Sequence, residues 1–427
     1  MKVLFVTPVK EGSGETITCL HIAERLGVAG HQFLFLASPF AQKFIGSHFP
    51  EQVRLLNDGN GKENQHQWKV TLESFRPDII VIADYPLMFF PGGTSPLAEE
   101  PGWVESLAEV RAQLVTLDHF GFAQRAMGLY LGPPHLNLSY LNIPAIPDRM
   151  EILLPCPMNE PGLVDGRRGR AFRYWEVPFR IPRDKVRGVR ESYLDDENDF
   201  MIFHSVPNWA WRYAERLQLP FYHFLPEILE YYLADISRPI TFISVNNGYL
   251  FQDVAGGRLR IRNLPPLPKT EFENLLFSAD LVLTENSLSI SMGKAVCGFQ
   301  PCAVLKNSFR VLELTNRLSG NLLKIVLAME SVRLGAVYPY EVFPTVVKQD
   351  LDAIGLYRQN RLAECFFELE LFGDEATKVM FKEIIEDPDY MIALREKQER
   401  YLDTLQQTPD AVEVLEALLA KERVDFE

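Results

Sequence analysis

The first 37 residues commit this chain to a wound α/β architecture. Val3 to Thr7 is an unbroken run of the kind found in a strand covered on both faces. It leads into Lys10-Glu11-Gly12-Ser13-Gly14-Glu15-Thr16. A helical pattern then extends to about Ala29, Gly30 ends it, and a second apolar strand occupies Gln32 to Ala37. Two glycines around one serine let the backbone turn tightly and approach a ligand, and the helix start beyond them directs unpaired N–H groups into the same space. Glu15 lies where that space opens. A carboxylate in a first helical turn is stabilised by the helix dipole without any further role, so a chemical role for Glu15 depends on what the rest of the chain brings to it.

At 427 residues the chain exceeds one ordinary core, and two domains are expected. A formal charge of −14 argues against a general nucleic-acid binder, which needs a basic face for phosphates. Cys19, Cys156, Cys297, Cys302 and Cys365 are odd in number and contain no C-x-x-C pair. They fit reduced thiols and offer no zinc site. The first apolar run ends at Pro8, too short for a secretory core, and no segment reaches membrane-spanning length. A soluble, cytoplasmic protein is the expectation.

Apolar runs at Phe33 to Leu36, Ile79 to Ala83 and Leu114 to Leu117 alternate with helical patterns such as Trp103 to Arg111, as parallel strands and their crossovers do. From Asp165 to Arg190 the texture changes to arginines, lysines, glycines and prolines. That stretch reads as a solvated connector or as a clamp for an acidic substrate. A second series follows, with strand candidates at Phe200 to Ser205, Ile240 to Val245, Leu259 to Ile261, Leu281 to Thr284 and Ala303 to Leu305. Beyond about Lys348 the pattern turns helical, at Leu362 to Glu370, Glu375 to Ile385, Tyr390 to Leu405 and Ala411 to Glu422.

The densest constellation of the second half is the strand Leu281 to Thr284 followed by Glu285-Asn286-Ser287-Leu288-Ser289, where a helix begins. Small polar residues at a helix start beyond a strand's carboxyl end suit a diphosphate, although Asn286 or Ser287 could equally be a plain helix cap. Upstream lies Leu264-Pro265-Pro266-Leu267-Pro268, and downstream Leu312-Glu313-Leu314-Thr315-Asn316. In this order, the elements resemble the donor half of the GT-B glycosyltransferases, nearest to the UDP-glycosyltransferase and MurG-like branch. The resemblance implies two Rossmann-like domains facing each other across a cleft. An acceptor domain would span 1–190 with a basic connector at about 165–198, a donor domain 199–385, and C-terminal helices 386–427 would pack back on the body.

Carried over residue by residue, the resemblance implies that Leu264 and Pro265 flank the nucleotide base. Asn286, Ser287 and Ser289 would hold the diphosphate, with Ser205 as a further phosphate contact, and Glu313 with Asn316 would face the sugar. Where the branch presents Gly-His at its first helix start, this chain has Gly14-Glu15. The branch's double glycine is missing from the diphosphate turn, and Met292, Gly293 and Lys294 stand where its ribose-binding acid is usual. The implied reaction is transfer of a sugar from a nucleotide donor to a small-molecule or peptide acceptor, with inversion. Glu15 would be the base, and Asp118 with His119 would be further catalytic candidates. The nucleotide sugar serves as co-substrate. No other cofactor is expected, and no Asp-x-Asp pair stands in a suitable loop to imply a metal ion. Two other readings stand beside it: an epimerase or hydrolase of nucleotide sugars on the same fold, and a catalytically silent binding or partner protein. Asp118 and His119 are neighbours and would point apart in a strand, so a dyad between them needs a turn. Asp84-Tyr85-Pro86 reads as a strand-end turn, with contact to the acceptor as its alternative, and His21 as a structural or solvated helix residue.

Overall fold

The computed structural model describes residues 1–8, 14–59, 61–89, 97, 102–119, 128–130, 140–142, 146–161, 169–196, 198–216, 218–246, 258–286, 289–309, 311–332 and 360–425. The early apolar runs form β1 (Lys2–Thr7), β2 (Gln32–Ala37), β3 (Val53–Leu55), β4 (Ile79–Ile82) and β5 (Gln113–Leu117). An antiparallel ribbon of β6 (Gly128–Tyr130) and β7 (Tyr140–Asn142) precedes β8 (Glu151–Cys156) and β9 (Arg170–Arg173). Apart from the ribbon, these strands build one all-parallel sheet in the order β3-β2-β1-β4-β5-β8-β9.

The second winding repeats the plan with β10 (Phe200–Ser205), β11 (Ile240–Val245), β12 (Leu259–Leu264), β13 (Leu281–Thr284), β14 (Cys302–Lys306) and β15 (Phe367–Glu370). Their order is β12-β11-β10-β13-β14-β15, again all parallel. In each sheet the first strand is interior, the next two lie to one side, and the fourth begins the other side. The connections therefore diverge between β1 and β4 and between β10 and β13. A crevice outside the carboxyl ends of the strands belongs at each such switch point.

Side-chain alternation along the strands explains how the sheets are covered. Leu4, Val6, Ile80 and Ile82 bury against Trp103 on one face of the first sheet, and Ile202, Phe242, Leu281 and Leu283 join Phe381 on one face of the second. The opposite faces share a single apolar cluster. It runs from Val3, Phe5 and Val81 through the helices Gly14–Val28 and Ile290–Cys297 to Phe203, Ile243 and Val282. The closing helices join it: Tyr401 of Pro388–Gln406 donates its hydroxyl to Pro157 O at 3.1 Å, and Leu415 and Leu418 of Ala411–Asp425 bury in the same cluster.

Two segments differ from expectation. Leu362 to Glu370, read as a helix, is a single turn at Arg361–Glu364 followed by β15, because Phe367-Glu368-Leu369-Glu370 alternates with period two and pairs with β14. The first part of the basic stretch, residues 165–168, lies outside the described residues; the rest includes edge strand β9, with Phe172 fully buried, and the helix Arg183–Tyr193, none of whose residues is fully buried but whose Val189 and Tyr193 pack against the shared cluster. Three of the stretch's described cations are engaged within the protein: Arg190 reaches Asp280 at 3.0 Å, Arg173 reaches Glu176 at 3.4 Å and Arg170 reaches Glu151 at 4.0 Å.

Candidate functional site

At the first switch point the helix Gly14–Val28 begins beyond β1, and Asp84 and His119 follow β4 and β5. The parallel register pairs Ile82 with Thr116, so residues a few positions beyond each strand meet. His119 Nδ1 lies 3.2 Å from Asp84 Oδ2, which also accepts the His119 backbone N–H at 3.3 Å. His119 Nε2 lies 3.0 Å from Thr18 Oγ1, and that hydroxyl is 3.1 Å from Gly14 O. Asp84 and His119 are fully buried, and Glu15 is 8% exposed. Burial pushes the Glu15 carboxyl above its ordinary 4.5; the His119 charge pulls it back and Asp84 pushes it further up. Burial lowers His119 from 6.5, against the charges of Glu15 and Asp118. The arrangement can take up and hold a proton in a site screened from water.

The second crevice has its own buried pair. His204 is the penultimate residue of β10 and Glu285 follows β13; His204 Nε2 lies 3.1 Å from Glu285 Oε2 and both side chains are fully buried. His204 Nδ1 is 3.1 Å from Ser244 Oγ, to which Asn246 Nδ2 donates at 2.9 Å. Beyond Glu285, the Asn286 N–H donates to Thr284 Oγ1 and Asn286 O accepts from Ser289 N–H. Ser289 caps the helix Ile290–Cys297, its hydroxyl accepting from Met292 N–H at 3.3 Å.

The two crevices meet at the starts of these helices. A Cβ on Gly14 would stand 2.6 Å from Ile290 Cδ1, so the two helix starts lie against each other and a larger residue there would press on the end of the Ile290 side chain. Farther along the same helices a charged contact joins the two halves. Lys294 Nζ lies 2.5 Å from Glu273 and 3.3 Å from His21 Nε2, and its ammonium sits over the Phe179 ring at 4.2 Å. Glu24 reaches His21 Nδ1 at 3.2 Å and Lys269 at 3.0 Å. Burial raises the Glu24 carboxyl, but the His21 hydrogen bond and Lys269 prevail and hold it at about 2. Burial lowers both His21 and Lys294; the Glu24 hydrogen bond opposes it at His21, and the Glu273 charge opposes it at Lys294.

Of the residues singled out from sequence, the fold gathers Gly14, Glu15 and His119 at the first crevice and Asn286 and Ser289 beside the second. Asp118 is buried, but the carboxylate that hydrogen-bonds His119 is Asp84. Ser205 is half-buried at the end of β10, Leu264 packs against the shared cluster and Pro265 is exposed. Glu313 and Asn316 are exposed on the helix Val311–Arg317, where Asn316 donates back to Leu312 O at 3.0 Å. Ser287 lies outside the described residues. His204 escapes a reading by motif, while Asp84 and Glu285 are visible in the sequence only as parts of strand-end turns; the signal that joins the three is their common place at the end of a buried strand. Among the described residues no cluster of three His, Cys, Asp or Glu side chains is arranged to hold a metal ion.

A family model described as a family of unknown function, DUF6365, matches residues 22–423. This chain belongs to that family. No curated protein matches the sequence of this DUF6365 member. Its fold, by contrast, matches solved structures almost end to end. The spinosyn rhamnosyltransferase SpnG complexed with thymidine diphosphate is 14% identical, with a TM-score of 0.53 over 98% of this chain and 100% of that one. The spinosyn forosaminyltransferase SpnP gives 12% identity and a TM-score of 0.55 over 98% and 99%. UGT89C1 of Arabidopsis thaliana, complexed with quercetin, gives 12% and 0.51 over 98% of each chain. The DUF6365 chain thus has the GT-B glycosyltransferase fold, two Rossmann-like units with a switch-point crevice in each.

Proposed function

We propose that this protein is a glycosyltransferase that moves a sugar from a nucleotide-diphosphate sugar to a small-molecule acceptor, with inversion. Residues 1–190 would receive the acceptor and 199–385 the donor. One observation carries the reading: Glu15, buried and raised in pKa, stands at a helix start that abuts the capped start of the helix Ile290–Cys297 in the other half. In the reaction Glu15 takes the proton of the acceptor hydroxyl while that oxygen attacks the anomeric carbon. The bond to the diphosphate breaks on the opposite face, giving inversion in one displacement. The helix start at Ser289, with Asn286, would stabilise the leaving diphosphate. His119, oriented by Asp84, supports the charge on Glu15.

The structural neighbours support the same kinds of ligand, since SpnG is seen complexed with thymidine diphosphate and UGT89C1 with quercetin. A silent binding protein is the second reading, favoured by the exposure of Glu313 and Asn316 and by the missing double glycine. Thermal shift with UDP, dTDP, GDP, ADP and their sugars tests nucleotide binding directly, because a ligand of the native state raises its apparent stability. No shift with any of them sinks both readings. A shift without turnover over a broad acceptor panel favours the silent protein, and sugar release without acceptor favours a hydrolase.

A further inference from the structure

The second crevice carries a polar chain that the transfer mechanism leaves unused. Ser244 Oγ accepts from Asn246 Nδ2 and lies 3.1 Å from His204 Nδ1, and a carboxylate oxygen such as Glu285 Oε2, on the other side of the ring, can only accept. The imidazole then carries its proton on Nε2 and donates to Glu285 Oε2 at 3.1 Å. Donors therefore run Asn246, Ser244, His204, and the chain ends on the Glu285 carboxylate. Its other oxygen, Oε1, is buried and has no hydrogen-bond partner among the described residues. A buried acceptor left open in this way is costly, and native structures keep few of them. This one stands at the switch point between β10 and β13, where open α/β sheets place their ligands.

We propose that Glu285 Oε1 accepts a hydrogen bond from a hydroxyl of the nucleotide sugar. The inference rests on the nucleotide-sugar reading of this crevice and names the group that Glu285 recognises. The open position is an acceptor, so it calls for an O–H donor. Phosphate oxygens at neutral pH mostly carry no proton and meet a carboxylate with repulsion. Glu285 thereby keeps the diphosphate away from the switch point and toward the helix start at Ser289. The hydroxyl belongs either to the ribose or to the transferred sugar, and the two sources separate experimentally.

The test is isothermal titration of the full chain and of Glu285→Gln. The probes are UDP, dTDP, GDP and ADP, their 2′,3′-dideoxy counterparts, and their glucose conjugates. In Glu285→Gln the amide oxygen still accepts from His204 while the NH₂ faces the ligand, which removes only the acceptor. If the ribose supplies the hydroxyl, the wild type binds the dideoxy probe about tenfold more weakly than its parent, and Glu285→Gln narrows that gap to within about twofold. If the transferred sugar supplies it, the wild type prefers the glucose conjugate to the bare diphosphate about tenfold, and Glu285→Gln erases that preference. Equal weakening of every probe by the substitution overturns the assignment, as does no change at all. The wild-type comparisons need no variant: less than twofold discrimination in both arms overturns it even where Glu285→Gln fails to fold. Absence of binding by any probe removes the nucleotide-sugar reading and this inference together.

Discussion

Each sheet ends in a buried histidine–carboxyl pair, and the two pairs differ in what they offer. At the first crevice, His119 is backed by Asp84 at 3.2 Å and its other nitrogen points to Thr18, on the same helix as Glu15. At the second, His204 is backed by Ser244 and its other nitrogen points to Glu285 at 3.1 Å. The same two groups at nearly the same distance are thus wired in opposite directions. In the first, a carboxyl orients the histidine and a further ionisable group, Glu15, lies at the open edge. In the second, the histidine orients the carboxyl, whose outer oxygen is the end of the line. The first arrangement suits proton transfer and the second suits recognition.

The largest expected effect tests that division at the first crevice. Glu15→Gln keeps the shape and hydrogen-bonding capacity of the side chain but removes its basicity. Transfer should fall by about 10²–10⁴-fold, the usual contribution of a positioned base, with nucleotide affinity unchanged. In the wild type the rate should climb as pH rises through a pKa above 4.5, since burial raises Glu15 and only its ionised form accepts the proton. A Glu15→Gln protein that turns over at the wild-type rate would move the base to His119.

At the second crevice the corresponding change should act first on stability. His204→Phe leaves Glu285 Oε2 without its donor, beside an Oε1 that already has none among the described residues. Breaking a buried pair from one side costs about 3–5 kcal/mol, readable in urea denaturation. Were this pair a proton-transfer unit like the first, the variant would instead stay folded and lose turnover.

The junction between the crevices should respond to pH. His21 is lowered from 6.5 by its burial, with Lys294 and Lys269 adding to the shift and Glu24 opposing it. The unfolded chain therefore binds a proton first. The stability associated with a neutral His21 is complete above pH 6.5 and is lost as pH falls below it. Glu24, held at about 2 against an ordinary 4.5, works in the same direction: its contribution is complete above 4.5 and declines as pH falls toward 2. Urea midpoints should therefore fall between pH 7.5 and 5, and His21→Gln should flatten the upper part of that fall. A wild-type midpoint constant over this range would deny the junction its coupling to His21.

The fold was legible wherever a strand is covered on both faces, because β1, β2, β4 and β13 contain unbroken apolar runs and β10 and β11 are mostly apolar. It was not legible at β9 and β15, which are short edge strands whose outer residues are arginines and glutamates; charge and helix propensity there obscure a period of two. Glu15 was visible as a carboxylate at a helix start. The partner of His119 was not, because Asp84 is 35 residues away and comes within reach only through the β4–β5 register. Sequence adjacency drew attention to Asp118 instead. His204 was hidden inside a strand and Glu285 inside a polar turn, and neither announces a role until β10 and β13 are known to be neighbours.

The smallest predicted effect on stability tests whether the crevices depend on each other. A Cβ at Gly14 would meet Ile290 Cδ1 at 2.6 Å, too close for a real contact, yet the atom it meets is the end of a flexible side chain. Gly14→Ala should therefore cost only about 1 kcal/mol in stability, the helix preference for alanine offsetting part of the overlap. Its effect should be greater on transfer, because the overlap pushes the start of the helix Gly14–Val28, and Glu15 with it, away from the helix capped by Ser289. Displacement of a reacting group by about 1 Å can cost on the order of 10²-fold in rate. Ile290→Val removes Cδ1 and should restore the rate of the Gly14→Ala protein while doing little alone. A double variant no faster than Gly14→Ala would mean that the two helix starts touch without acting together.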